Sequence, residues 1–168
     1  ILKVEDSKGN VLEEAKFEEG TRVVDEKEIY LLNYVLCDLG GFGDRLGISY
    51  SRVNGKNVCF KTGTTDGPRD LATMMYHKNL VVGVWTGNNN NAIARNATST
   101  AVPLPIAYGI TKRLADVYKP ELFTRPAGIV STAVCKDTGG IPAEGVTCDK
   151  EASIYIAGRA PQTDNRQV

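Results

Sequence analysis

The sequence predicts an α+β fold: a mainly antiparallel sheet with flanking helices, plus a small C-terminal β-like extension. Three observations carry this. Asn57–Gly63, Asp70–Tyr76 and Leu80–Thr86 are strand-like runs in close succession, the last two joined by the polar turn His77-Lys78-Asn79, which is a meander signal. Two segments, 25–39 and 103–118, place apolar residues three or four apart, the period of a helix. Beyond Lys119-Pro120 the helical pattern stops, and short extended runs (Ile129–Val134, Ser153–Ile156) alternate with turn residues.

Taken in order, residues 1–4 and 11–17 flank the turn signal Ser7-Lys8-Gly9-Asn10 and form a hairpin. Asp25, with Glu28 three residues on, is a capping-box pattern that starts the first helix. Ile29, Leu32, Val35, Leu36 and Leu39 give its apolar stripe, and Gly40-Gly41 ends it. Residues 41–54 form a loop with Asp44 and Arg45 exposed. Of the three meander strands, Leu80–Trp85 is the most apolar and is expected to be the most buried. His77 is expected in solvent, Trp85 anchored on the sheet face, and Arg69 with Asp70 as an ion pair or turn former. Pro103 and Pro105 suit the first turn of the second helix, whose Ile106, Ile110, Leu114 and Val117 share a face. The organisation is therefore two units, 1–119 and a C-terminal extension, 120–168.

Bulk properties exclude several functions. Twenty basic and twenty acidic residues cancel, so charge gives no argument for nucleic acid or an anionic membrane. There is no apolar run of membrane-spanning length. The opening Ile1–Asp6 lacks an initiator Met and a signal-peptide layout and reads as mid-protein sequence. Cys37, Cys59, Cys135 and Cys148 contain no C-x-x-C, and His77 has no partner at ligand spacing, so neither a metal nor an organic cofactor is expected. Cys37 and Cys59 read as buried free thiols. Cys135 and Cys148 flank a Gly-rich loop and are either free or bridged, a bridge being worth roughly 3 kcal/mol in an oxidising compartment.

The chemistry lies in Lys61-Thr62-Gly63-Thr64-Thr65, at the end of the first meander strand. Lys-Thr-Gly is one of three motifs that together build an acyl-serine site, the others being Ser-x-x-Lys and a Ser-x-Asn type. Those two are missing. The six serines are followed at the third position by Asn10, Arg52, Asn54, Val102, Val134 and Ile156, never by Lys. Thr62, Thr64 and Thr65 lack a general base in sequence reach, so none is a candidate nucleophile. The strand end offers a cation, hydroxyls and backbone donors, which is an anion site without a nucleophile.

These residues resemble a known family. The KTGTT run, then Arg69-Asp70, then Val82-Gly83-Val84-Trp85-Thr86-Gly87-Asn88, is similar to the transpeptidase domain of class A (bifunctional) penicillin-binding proteins. The Val4–Leu12 hairpin, Tyr30-Leu31-Leu32-Asn33, Phe123, Pro126, Gly128-Ile129-Val130, the Cys135…Gly139…Cys148 loop and Ile156-x-Gly158-x-x-Pro161 extend the likeness along nearly the whole chain. Phe60 departs from it, standing where the family has Gly or Ala.

The resemblance implies the C-terminal half of such a domain, of the penicillin-binding-protein and serine β-lactamase fold, in residues 1–119. It implies Lys61 and Thr64 as catalytic residues: Lys61 for proton traffic and positive field, Thr64 for an oxyanion-hole N–H. It implies Thr62, Gly63, Thr64 and Thr65 as substrate-binding residues, the Thr62 and Thr64 hydroxyls gripping the terminal carboxylate of a D-Ala-D-Ala stem peptide or of a β-lactam and Gly63 letting the substrate backbone lie against the strand edge. The parent enzyme would be a serine-type D,D-transpeptidase of peptidoglycan, anchored in the membrane with this part on the extracytoplasmic side. Its serine would come from the missing N-terminal half of the domain, leaving this chain inactive alone and prone to self-association. The alternative is a non-catalytic carboxylate- or peptide-binding module using the same strand edge.

Overall fold

The computed structural model describes residues 1–16, 20–37 and 49–166. Leu39, the expected helix end at Gly40-Gly41, and Asp44 and Arg45 lie outside them. The centre of the fold is a three-stranded antiparallel sheet, and the elements before and after it pack on its two faces.

β1 (Lys3–Glu5) and β2 (Val11–Glu14) form the predicted hairpin. Asp6 closes its turn by accepting the backbone N–H groups of Lys8 and Asn10, and Gly9 takes the positive φ (83°) the turn requires. α1 (Glu26–Leu36) begins at Asp25, whose carboxylate accepts the Lys27 N–H at 2.8 Å. The reciprocal half of the capping box is replaced: the Glu28 carboxylate instead meets Arg159, at 3.0 Å. A short 3-10 turn (Ser49–Ser51), β3 (Arg52–Val53) and β4 (Lys56–Asn57) lead into the sheet.

β5 (Cys59–Thr64), β6 (Asp70–His77) and β7 (Leu80–Gly87) form the predicted meander in the order β5-β6-β7. Register follows from the pairs Lys61↔Met74, Thr62↔Thr73 and Thr73↔Val84, and fixes which side chains share a face. One face carries Phe60, Thr62, Thr64, Leu71, Thr73, Met75, His77, Val82 and Val84. It is covered by α2 (Pro103–Leu114), and Val53, Val58, Met75, Val82, Leu104, Ala107 and Ala115 form the core there, with Phe60 against it. The other face carries Cys59, Lys61, Gly63, Met74, Tyr76, Gly83 and Trp85. α1 meets it only at one end, through the Tyr76–Asn33 hydrogen bond and the Cys37–Cys59 disulfide.

Several expectations are corrected here. The most buried strand is β6, not β7: β7 is an outer strand, and its Val81 and Trp85, on the face that α1 only partly covers, are exposed. Trp85 still lies on the sheet face, its indole N–H donating to Asp70. His77 is buried, on the core face beside α2's end of the sheet. Of the two expectations for Arg69 with Asp70, the ion pair is replaced, Arg69 donating to the Asn91 carbonyl and Asp70 accepting the Trp85 N–H, while the turn-forming role holds, the Asp70 N–H donating to Thr65 across the β5–β6 turn. Cys37 and Cys59 are not free thiols but bridged to one another, tying the end of α1 to the start of β5.

Both helices also turn a different face inward from the one their apolar stripes predict. α2 buries Leu104, Ala107 and Thr111, leaving Ile106 and Ile110 exposed; the small Ala107 lets the helix sit close, and the Thr111 hydroxyl is satisfied by the Ala107 carbonyl. α1 buries Asn33, leaving Ile29, Leu32 and Val35 exposed.

Beyond α2, β8 (Ile129–Cys135) pairs antiparallel with β10 (Lys150–Ile156) along seven residue pairs. β9 (Ile141–Pro142) pairs in parallel with β11 (Thr163–Asp164). Cys135 and Cys148 are bonded across the loop between them. Arg166 clamps the end of the chain by binding Asp164 and Asp137, and Thr138 adds a hydroxyl bond to Asp164. Phe123 leans on Tyr76, ring centroids 6.1 Å apart, and Lys78 donates to the Glu121 carbonyl, so this part touches the central sheet.

Candidate functional site

Lys61, Thr62, Gly63 and Thr64 are the last four residues of β5, an outer strand of its sheet. The Thr65 N–H donates to the Asp70 carbonyl at 3.1 Å. By strand alternation, residues 61, 63 and 65 therefore make the ladder with β6, and the amides of Thr62 and Thr64 point to the opposite edge. Among the described residues no strand pairs with that edge from Phe60 to Thr64. It is a short row of open backbone donors and acceptors, the kind of edge to which an extended peptide adds.

The side chains are distributed around that edge rather than gathered on one surface. Lys61 and Gly63 belong to the face that α1 only partly covers, Thr62 and Thr64 to the α2 face. The ammonium reaches the edge by curling along the strand, Nζ donating to the Thr62 carbonyl at 2.7 Å. Cation and hydroxyls thus flank one line of backbone from opposite sides. A Cβ built on Gly63 would meet nothing within 4 Å, so the space beside it is open. Phe60, the departure from the family pattern, points away from Lys61 into the core, so its bulk does not intrude on the edge.

Thr65 lies past the strand and is a support rather than an open hydroxyl. It accepts the Asp70 N–H at 3.0 Å and holds the turn between β5 and β6 closed. Asp70 in turn holds Trp85 at 3.2 Å. One residue escaped the sequence reading: Ser99, before α2, whose hydroxyl lies 2.5 Å from both Thr64 Oγ1 and the Gly63 carbonyl oxygen. No motif marks it, since the two residues stand 35 positions apart in the chain.

Elsewhere, Cys135, Asp137 and Asp164 bring one potential metal-binding atom each within 4.8 Å of one another. Cys135 is in a disulfide, and Arg166 holds both carboxylates, keeping Asp164 down at about 2 and Asp137 below its ordinary value. That chemistry is a clamp, not a cation site. No described helix is long and apolar enough to cross a membrane.

Comparison with known proteins points to the family that the sequence resembles. No family model matches the chain. Over 166 residues it is 30% identical to penicillin-binding protein 1A of Clostridium perfringens, a match covering 95% of this chain and 19% of that protein. Its fold matches the crystal structure of penicillin-binding protein 1A from Haemophilus influenzae with a TM-score of 0.67 at 22% identity, over 96% of this chain and 29% of that one. The chain thus spans about a fifth of the length of its curated relative. Over 95% of its length, it is homologous to part of a penicillin-binding protein.

Proposed function

We propose that residues 61–65 form one wall of a serine-type D,D-transpeptidase site, whose nucleophile is supplied by residues outside this chain. The observation that carries this is the open edge of β5, where the outward amides of Thr62 and Thr64, the Lys61 ammonium and the empty space beside Gly63 converge. In this reading the acyl donor, a D-Ala-D-Ala stem peptide or a β-lactam, lies along that edge as an added strand. Gly63 leaves room for its backbone. Thr62 and Thr64 grip its terminal carboxylate, and the turn-holding Thr65 keeps the strand end in place. Lys61 supplies positive field and proton traffic beside the serine.

The Thr64 N–H is one donor of the oxyanion hole, and losing a donor of that kind costs about 10²–10³ in rate. The serine hydroxyl gives up its proton and attacks the carbonyl, and the tetrahedral oxyanion settles on that donor. Its collapse breaks the C–N bond, the departing D-Ala nitrogen taking the proton. The acyl group then passes from the serine to an acceptor amine, whose proton restores the serine hydroxyl. This chain stabilises charge in that sequence and forms no covalent bond itself, so alone it is inactive. Residues 1–119 are the transpeptidase part and 120–168 an extension. The whole protein is anchored in the membrane, with this part on the extracytoplasmic side. The outward apolar stripes of both helices support a missing N-terminal half that covers them, and self-association of the chain without it.

Covalent labelling with a fluorescent penicillin, read by intact mass, tests this on the chain and on the longer protein that carries it. Adduct on the longer protein alone is the expected result. Adduct on this chain would place a nucleophile within it. Silence from both would overturn acyl transfer in favour of a carboxylate- or peptide-binding module on the same edge.

A further inference from the structure

Ser99 is 4% exposed and stands just ahead of α2, where its carbonyl accepts the Leu104 N–H at 3.1 Å. That bond fixes its backbone to the first turn of the helix, and its hydroxyl points into the end of β5. There it has two neighbours at 2.5 Å, Thr64 Oγ1 and the Gly63 carbonyl oxygen. A serine hydroxyl carries one proton, and a carbonyl can only accept. When Ser99 donates to Gly63, the contact with Thr64 is a hydrogen bond only if Thr64 donates to Ser99. The Thr64 proton is then turned inward and its lone pairs face outward, which is the wrong polarity for an anion.

The opposite arrangement needs only rotation about two C–O bonds. If Ser99 turns its proton to Thr64, Thr64 accepts it and frees its own proton for an anion. Gly63 loses one bond but keeps its place in the ladder opposite Ala72, so its carbonyl is not stranded. No proton leaves its oxygen. The second arrangement is also self-reinforcing, because a hydroxyl that accepts a hydrogen bond becomes a better donor.

We propose that Ser99 is a positioning residue that sets the proton direction of Thr64, inward when the edge is empty and outward when a carboxylate occupies it. This rests on the acyl-transfer reading above, since it assigns Thr64 the grip on the donor's carboxylate. Ser99 itself touches no substrate: it is buried behind Thr64.

The test uses the full-length protein that carries this chain and compares acylation by a penicillin with acylation by its neutral methyl ester. Ser99→Ala should lower the acid-over-ester preference about tenfold, the worth of one hydrogen bond. Ser99→Cys, close to serine in size but a weak donor, should do nearly the same, and Ser99→Thr should restore the preference. Adding Ser99→Ala to Thr64→Val should change the preference little further, because the hydroxyl it acts through is already gone. Equal losses for acid and ester, or losses that add across the two sites, would overturn the proposal and leave Ser99 a packing residue. Normal labelling of the unaltered protein with an unchanged preference in both Ser99→Ala and Ser99→Cys would overturn it while the acyl-transfer reading stands. No labelling of the unaltered protein would overturn both.

Discussion

The Tyr76 hydroxyl donates to the Asn33 side-chain carbonyl at 2.7 Å, and this polar bond, not an apolar stripe, seats α1 on the sheet. Asn33 is the buried residue of that helix, and burial also raises the Tyr76 hydroxyl above its ordinary pKa, so it remains a donor at neutral pH. Tyr76→Phe removes the donor and leaves a buried amide oxygen unpaired. The expected loss is about 1–2 kcal/mol in denaturant unfolding. An unchanged midpoint would mean that the helix's other ties, the Cys37–Cys59 bridge and the Glu28–Arg159 pair among them, hold it.

His77 gives a pH signature in the mildly acidic range. Its Nδ1 accepts the Asn79 N–H, which places the proton on Nε2, and that atom is buried without a partner among the described residues. Burial lowers its pKa from 6.5, against an opposing pull from Glu121. A folded pKa below the unfolded one means that the unfolded chain takes up the proton first. Stability is therefore full above about pH 6.5 and falls as pH drops through that value toward the folded pKa. The slope should flatten in His77→Gln, measured as urea midpoint against pH.

Asp164 acts lower on the scale and at the other end of the chain. Bonds from Arg166 first, then Thr138, hold its carboxyl at about 2 against an ordinary 3.8. The depressed value means that its contribution is present above about pH 4 and is lost as pH falls toward 2. Arg166→Gln should return the Asp164 titration, followed by carboxyl NMR, toward the ordinary range. If it stays near 2, Thr138 and the backbone hold it unaided.

Gly63 separates folding from binding. Since a Cβ there meets nothing within 4 Å, Gly63→Val should leave the unfolding midpoint within about 0.5 kcal/mol of the original. In the full-length protein the same change should abolish penicillin acylation, because the new side chain would occupy the path proposed for the donor. Retained acylation with a folded variant would place the donor elsewhere.

What the sequence made legible was local. The meander was readable because β-branched runs and a short polar turn are adjacent in the chain, and Lys-Thr-Gly is a contiguous motif. What stayed hidden depends on partners far apart in sequence. Cys37 and Cys59 look like separate buried thiols until two elements converge. Leu80–Trp85 looks more buried than Asp70–His77 by composition, but strand position decides burial. The helix faces misled for a related reason: α2 packs through Leu104, Ala107 and Thr111, and Ile106 and Ile110 turn outward. Ser99 carries no signal at all, since a serine in a polar loop is the commonest thing in a sequence. Only the end of β5 beside it gives it meaning.

Lys61 and Thr64 stand on opposite faces of one strand and rely on different neighbours. The cation side can drift with the open face, and the hydroxyl side with the packing of α2. On the proposed reading, changes selected by an inhibitor because they weaken its grip through Thr64 need not disturb the charge at Lys61. A lineage could adjust one side at a time, without passing through a form that has lost both.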